Sequence, residues 1–104
     1  MHAHFAAGRD TTALDLIRLE WGYMLDAPQG TASTFWEGYR SDGTSDYGGS
    51  YMSAAHGWST GPTSALTFHL LGIAPSQEGG AGYSVVPHPG DVRSAQGRLV
   101  TPAV

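Results

Sequence analysis

The sequence predicts a mainly α-helical chain that ends in short β-like segments. Two stretches carry apolar residues three or four positions apart, the repeat of one helix face, and a long glycine-rich segment without that repeat separates them. Residues 83–87 and 99–104 instead have the composition of short strands. A lone pair of short strands is barely stable in water. Either the strands pack on the helices as a small α+β unit, or the chain is part of something larger, and we favour the second.

The first helix is predicted to begin at Asp10 or Thr12, since either side chain can accept hydrogen bonds from the free N–H groups of a first turn. Asp15 lies three residues after Thr12, in a capping-box-like arrangement. Pro28 and Gly30 are expected to end the helix. Its apolar stripe, which we interpret as core packing, contains Leu14, Ile17, Trp21, Met24 and Leu25.

Residues 30–49 predict a long structured loop, because Gly, Ser, Thr and Asp mix there with aromatic residues without periodicity. Asp42 and Asp46 could be read as calcium ligands, since oxygen ligands at short intervals suit a hard cation. Their spacing does not match the EF-hand loop. Turn-capping aspartates are the better explanation of both residues.

Residues 51–73 predict a second helical region, which is approached through residues 56–62 (HGWSTGP). Pro62 fits a first helical turn, where its missing N–H costs little, and Gly72 fits the C-terminal stop. The apolar stripe of this region contains Leu66, Leu70 and Ile73. His69 is expected to be a packed or half-exposed histidine within the helix.

Composition excludes several classes of protein. The chain has 104 residues, the size of one small domain, and its five basic residues, all arginine, stand against nine acidic ones for a net charge of -4. Without a basic patch, the chain lacks the positive charge that binds nucleic-acid phosphates, so nucleic-acid binding is not predicted. Without cysteine, disulfides and thiolate metal sites are excluded. No apolar run approaches membrane-spanning length, and the first residues do not resemble a signal peptide, so no cellular location is assigned.

The hypothesis that the chain binds a metal ion rests on its histidines. His2 and His4 stand at alternate positions and could clamp a metal ion in an extended segment, but the sequence offers no third ligand and the start of the chain is expected to be frayed. The spacings of the five histidines share no ligand pattern. A metal-binding protein is therefore a weak alternative, and no metal site is predicted.

Residues 33–40 (STFWEGYR) set one carboxylate among three aromatic side chains. Glu37 follows Phe35 and Trp36, so its surroundings are expected to be partly dry, and ionisation there costs free energy unless a hydrogen bond or a positive charge compensates. Flat aromatic faces beside a carboxylate suit a sugar-cleaving site, where rings pack on the apolar face of a pyranose. The alternative is that both aromatics are core residues and that Glu37 is helix-terminal or ion-paired.

Three motifs in compatible order and spacing resemble the end of the catalytic domain of the α-L-rhamnosidases of glycoside hydrolase family 78, within the six-hairpin glycosidases. They are residues 34–39 (TFWEGY), 53–63 (SAAHGWSTGPT) and 71–75 (LGIAP). The tail that resembles the passage into that family's C-terminal β-domain is 86–91 (VPHPGD), Gly97 and Thr101-Pro102. The likeness covers nearly the whole chain from about Ala7.

The resemblance implies a mainly α fold. Residues 1–75 would be the C-terminal end of an (α/α)₆ catalytic barrel, and residues 76–104 a linker and the first strands of a C-terminal β-domain. It also implies inverting hydrolysis that removes terminal α-L-rhamnose from glycosides, without an organic cofactor. The remainder of the barrel would be missing from this chain, which should leave apolar patches exposed.

The resemblance also assigns roles to four residues. Glu37 falls where the family places its general base, and His56 and Trp58 fall on the helix-entrance motif that lines the sugar pocket. Trp36 would support the sugar ring, with Tyr39 a less certain contributor. The family's general acid lies in an upstream segment that this chain does not contain. The parent protein is therefore expected to be a glycosidase, and the isolated chain is expected to be inactive.

Two rival functions stay open. One is a six-hairpin glycosidase that acts on another sugar. The other is a non-catalytic carbohydrate-binding or structural remnant of a truncated gene, which would keep the aromatic platform of Trp36 and Trp58 without hydrolysis. For His56 itself, a purely structural role is a fair rival to sugar binding.

Overall fold

The computed structural model describes residues 1–45 and 51–100. Over these residues the chain is mainly α-helical, with one two-stranded antiparallel sheet. The elements in chain order are α1 (His2–Ala6), α2 (Asp10–Asp26), α3 (Gly61–Ala65), β1 (Ile73–Pro75) and β2 (Tyr83–Val85). The short helical turns are a 3₁₀ turn before α3 (Gly57–Ser59), a π-helical turn after it (Leu66–Leu70) and a 3₁₀ turn between the strands (Glu78–Gly80). No helix in this part of the chain combines the length and apolarity needed to cross a membrane.

The start of the chain is helical, so the prediction of a frayed terminus was wrong. Helix α1 is too short to be stable alone and owes its order to tertiary packing. Its Phe5 is almost completely buried in an N-terminal cluster with Ala13, Leu14 and Ala65. Burial of such a side chain contributes roughly 1.5–3 kcal/mol, which is enough to hold one helical turn in place.

Helix α2 confirms the predicted first helix, but its capping differs. The helix begins at Asp10 after Arg9, and no side chain caps it. Asp15 does not complete a capping box, because its carboxylate accepts a hydrogen bond from Arg18 at 3.0 Å. Of the predicted stripe, Leu14 and Met24 are buried at opposite ends of the helix.

Two separate clusters of apolar side chains flank α2. The N-terminal cluster lies at Leu14, and the second, which we call the aromatic cluster, lies at Met24. The buried members of the aromatic cluster are Met24, Ala27 and Trp36. Partly buried side chains around them are Trp21, Tyr23, Phe35, Tyr39 and Met52. Helix α2 therefore links the two clusters, and the aromatic cluster anchors the loop that carries Glu37.

The predicted long loop after α2 is confirmed in residues 31–45, which contain one isolated bridge, between Tyr39 and Ser45, and no helix or strand. Asp42 caps a turn as predicted. Its Oδ1 accepts hydrogen bonds from the Thr44 hydroxyl at 2.7 Å and from the backbone N–H of Thr44 at 3.0 Å, and these bonds, the first more than the second, lower the pKa of Asp42. Asp46 lies outside the described residues.

The second helical region begins later than predicted. Residues 51–56 are not helical, and the helix starts with the turn Gly57–Ser59. The physical reason is a competing backbone pairing. The N–H of Glu37 donates to the carbonyl of Ser53 at 2.8 Å, and the N–H of His56 donates to the carbonyl of Phe35 at 2.8 Å. Pro62 does lie in the first turn of α3, and Gly72 ends the helix with a φ of +70°, as expected.

Strand β2 confirms the predicted strand, but its partner differs from the prediction. Ile73 pairs with Val85 and Pro75 with Tyr83, so the partner is β1, although residues 99–104 had been predicted as the second strand. Residues 99–100 form no strand, and residues 101–104 lie outside the described residues. Strands β1 and β2 lie on opposite sides of the predicted domain boundary between residues 75 and 76. The division into two domains at this boundary stays a prediction.

We expect Gly72→Ala to destabilise the protein more than Gly79→Ala. Both glycines have a φ of +70°, so each alanine costs about 1–2 kcal/mol of left-handed strain. A Cβ at Gly72 would also collide with the backbone carbonyl of Val86, whereas nothing lies within 4 Å of one at Gly79. The collision should remove a further ~1–3 kcal/mol of unfolding free energy. Urea unfolding of both variants measures this difference, and equal losses would contradict the close approach.

Candidate active site

The aromatic cluster fixes the backbone on which the candidate site is built. Trp36 is only 4% exposed, and its carbonyl accepts a hydrogen bond from the hydroxyl of Ser59. The carbonyl of Ser59 in turn accepts from the indole N–H of Trp21 at 2.6 Å. These bonds tie the turn Gly57–Ser59 to residues 36–37 and to α2. The side chains of Glu37, His56 and Trp58 are brought together as a result.

Glu37 has one engaged carboxylate oxygen and one that faces a histidine. Its Oε2 accepts the backbone N–H of Ser53 at 3.0 Å, while Oε1 lies 4.0 Å from Nε2 of His56. The Glu37 side chain is 20% exposed. The carboxylate is therefore oriented by the main chain and still reaches solvent, which a group that activates water requires.

The tautomer of His56 follows from its contacts. Its Nδ1 accepts the backbone N–H of Trp58 at 3.4 Å, which caps the turn Gly57–Ser59. When the ring is neutral, the proton must then be on Nε2, the nitrogen that faces Glu37. Nε2 lies 4.0 Å from Oε1 of Glu37, too far for a direct hydrogen bond, and the His56 side chain is 32% exposed.

Trp58 presents an exposed aromatic face beside this pair. It is 68% exposed, and its ring centroid lies 4.2 Å from that of His56 at an interplanar angle of 31°. Its indole N–H donates to the carbonyl of Glu37 at 2.7 Å. This bond fixes one edge of the ring, and His56 packs on one side of it, so the remainder of the ring is what solvent reaches.

Trp36 does not belong to this surface. Its indole is buried and packs edge-on against Tyr23 and Tyr39, with centroids 6.2 Å apart in each pair. The prediction that Trp36 supports a sugar ring does not agree with this burial. Neighbouring aromatic residues in a sequence can pack in the core or contact a ligand. In the structure Trp36 packs in the core.

Tyr39 is engaged away from Glu37. Its hydroxyl donates to the backbone carbonyl of Glu20 at 3.0 Å and to the Glu20 carboxylate at 2.9 Å. Burial, followed by the hydrogen bond to Glu20, raises the pKa of Tyr39 to about 12. The hydroxyl of Tyr39 joins the loop to α2 through these two bonds.

Two concave surfaces lie near these residues. An open depression of about 310 Å³ adjoins His56, at the lower limit of ligand pockets, and is lined by Ser33, Thr34, Phe35, Ala55, His56 and Thr60. A larger one of about 620 Å³ lies at Glu20, Tyr39 and Asp42. Of the Glu37, His56 and Trp58 group, only His56 lines the smaller depression, and none of the three lines the larger one.

In the described part of the chain no hydrogen bond or ion pair joins a second carboxylate to Glu37, and Asp42 is turned toward Thr44. Nor do they place three His, Asp or Glu side chains where they could hold a metal ion. His2 and His4 lie on the helix α1 and not on an extended segment.

Sequence reasoning missed Ser53 and Ser59, which hold the site together. Ser53 acts through its backbone N–H, and no residue pattern reveals that function. The hydroxyl of Ser59 donates to the Trp36 carbonyl, and no sequence pattern predicts this bond either. Comparison with protein-family models and with curated proteins finds no match. The likeness to the rhamnosidases therefore stays a prediction that rests on the motifs in the sequence.

Proposed function

We propose that this chain is the closing part of the (α/α)₆ catalytic barrel of an inverting α-L-rhamnosidase, followed by the start of a C-terminal β-domain, and that Glu37 is the general base. The observation that carries the proposal is the grouping of a partly exposed carboxylate with His56 and the exposed face of Trp58. The sequence motifs that resemble glycoside hydrolase family 78 supply the reaction class.

In this mechanism Glu37 removes a proton from water as the water oxygen attacks the anomeric carbon. The bond to the leaving oxygen breaks on the opposite face, where a carboxylic acid donates a proton, and the anomeric configuration inverts. The Ser53 N–H holds Oε2, which leaves Oε1 for the water. Trp58 packs on the apolar face of the sugar, and the methyl group of a 6-deoxy sugar enlarges that face.

The second carboxylate comes from the remainder of the barrel. Carboxyl groups of an inverting pair stand about 6.5–9.5 Å apart, across the sugar and the water. We expect the isolated chain not to turn over an ordinary aryl α-L-rhamnoside, because the leaving oxygen would depart without a proton donor.

Binding of L-rhamnose to the chain tests the proposal. We expect the sugar to shift the NMR signal of the Trp58 indole N–H, with a dissociation constant of roughly 1–100 mM because only part of the pocket is present. Trp58→Ala should abolish the response of the neighbouring His56 signals. Tyr83→Ala, which removes another exposed aromatic ring, should leave it unchanged. Unperturbed Trp58 and His56 signals at saturating sugar would contradict the proposed site.

A non-catalytic carbohydrate-binding remnant is the second candidate. The exposure of Trp58 favours it, since a solvent-facing ring held by its N–H suits a binding platform. This candidate predicts that Glu37→Gln binds sugar as the wild type does and that neither protein forms product. Titration with a panel of neutral monosaccharides distinguishes the α-L-rhamnosidase and the non-catalytic remnant from a six-hairpin glycosidase for another sugar. That enzyme would bind its own sugar more tightly than L-rhamnose.

A further inference from the structure

We infer that a cluster of histidines fastens helix α1 to the rest of the protein in a pH-dependent way, so that acidification loosens α1 selectively. The cluster consists of His2, His69 and His88, and it surrounds the buried Phe5. It lies outside the candidate active site, and the proposed function makes no use of it.

The contact between α1 and the π-helical turn is made by two imidazoles and one aromatic ring. Nδ1 of His2 lies 3.1 Å from Nε2 of His69, so one nitrogen donates and the other accepts. Phe5 stacks on His69 with centroids 4.9 Å apart and an interplanar angle of 11°. One proton between the two nitrogens makes the hydrogen bond, whereas protonation of both rings leaves two N–H donors and two positive charges facing each other.

His88 approaches the same group from the segment after β2. Its ring centroid lies 6.3 Å from that of His69, and its backbone N–H donates to the His69 carbonyl at 2.9 Å. Its Nδ1 lies 3.2 Å from a carboxylate oxygen of Asp10 at the start of α2. The groups that face His69 are therefore His2 from α1, His88 from this segment and, as the one negative charge among them, Asp10 from α2.

These neighbours favour the neutral form of His69. Burial, then the positive charges of His2 and His88, lower the pKa of His69, and Asp10 only partly opposes them. Because the folded-state pKa lies below the ordinary value, the contribution of His69 to stability is fully present above about pH 6.5 and is lost as the pH falls through the lower folded-state value.

Acid should act on α1 more than on the segment that carries His88. Protonated His88 is attracted by Asp10, and Asp91 is bound by Arg18 at 2.9 Å, so α2 holds this segment at two charged contacts. In α1, by contrast, the hydrogen bond between His2 and His69 cannot form when both rings are protonated. The charge added on acidification therefore weakens the attachment of α1 while the other attachment persists.

Amide hydrogen exchange tests the inference on the intact chain. Between about pH 7.5 and 5, after correction for intrinsic rates, we expect protection at Ala7 and Arg9 to fall several-fold relative to amides within α2. His69→Phe keeps a ring that can stack on Phe5 and removes the titrating group, so the relative fall should disappear. His4→Gln, a matched histidine replacement on α1, should retain it.

Three results would overturn the inference. They are equal loss of protection in α1 and α2, no loss in α1, and an unchanged loss in His69→Phe. NMR titration of the imidazole signals in His2→Gln gives a second readout that does not depend on the folding of the His69 variant. Removal of His2 should raise the pKa of His69, since His2 lowers it, and an unchanged or lower value would also overturn the inference.

Discussion

Replacement of Trp36 by alanine is expected to lower the free energy of unfolding by about 3–5 kcal/mol, the usual cost of removing a buried large aromatic side chain. The indole of Trp36 lies in the aromatic cluster with Met24 and Ala27 and packs edge-on against the rings of Tyr23 and Tyr39. The cluster offers few other buried side chains to close the cavity. This loss is a large fraction of the roughly 5–15 kcal/mol that keeps a protein of this size folded.

Trp58→Ala is the matched control for this variant. It removes the same side chain from a position that is 68% exposed, with the loss of one hydrogen bond to the Glu37 carbonyl. We expect a cost of about 0.5–1.5 kcal/mol, the net value of one such bond. Urea unfolding followed by circular dichroism compares the two variants. Similar losses would show that Trp36 is not the core residue that its burial indicates.

Helix α2 could be predicted from the sequence because its signal is local. Apolar residues at helical spacing bury one face wherever the helix packs, so Leu14 and Met24 could be assigned to a core without knowledge of their partners. The side-chain cap could not be predicted in the same way. Asp15 had an alternative partner in Arg18, one turn further along the helix, and that ion pair occupies its carboxylate.

Elements that depend on distant partners were missed or misplaced. Helix α1 has only five residues, and Phe5 holds it through contacts with residues far along the chain. Strand β1 has three residues, one of them a proline, so its pairing with β2 becomes visible only when the hairpin forms. A helix is expected at residues 53–56, but none forms there because these residues pair with residues 35–37.

The candidate site could be predicted as a group of residues but not as a geometry. The motifs selected Glu37, His56 and Trp58, which do lie together. They selected Trp36 as well, although its ring points into the core, because neighbouring aromatics look alike in a sequence whether they face a ligand or a core. The backbone donor at Ser53 carries no sequence signal at all.

Glu37→Gln is expected to show the second large effect, a roughly 100- to 10,000-fold lower rate of a reaction that needs a base but no acid. α-L-Rhamnosyl fluoride provides such a reaction, since fluoride departs with little need for protonation. Glu37 would take the proton of the attacking water, the C–F bond would break with its electron pair on fluoride, and the product would be β-L-rhamnose. Glutamine keeps the shape of the side chain and cannot accept the proton.

Azide rescue distinguishes a variant that has lost only its general base from one whose sugar pocket is disrupted. The azide anion attacks without deprotonation, so it should restore turnover to Glu37→Ala and yield β-L-rhamnosyl azide, with little effect on the wild type. A lack of rescue would indicate that the substitution disrupts the sugar pocket and does not merely remove the base.

Hydrolysis of α-L-rhamnosyl fluoride by the wild-type chain and by Glu37→Gln, followed by NMR, tests the assignment of Glu37 as general base most directly. The account predicts slow formation of β-L-rhamnose by the wild type and loss of that reaction in the variant. Equal rates in the two proteins, a wild-type rate no faster than spontaneous hydrolysis, or an initial α-product would contradict it.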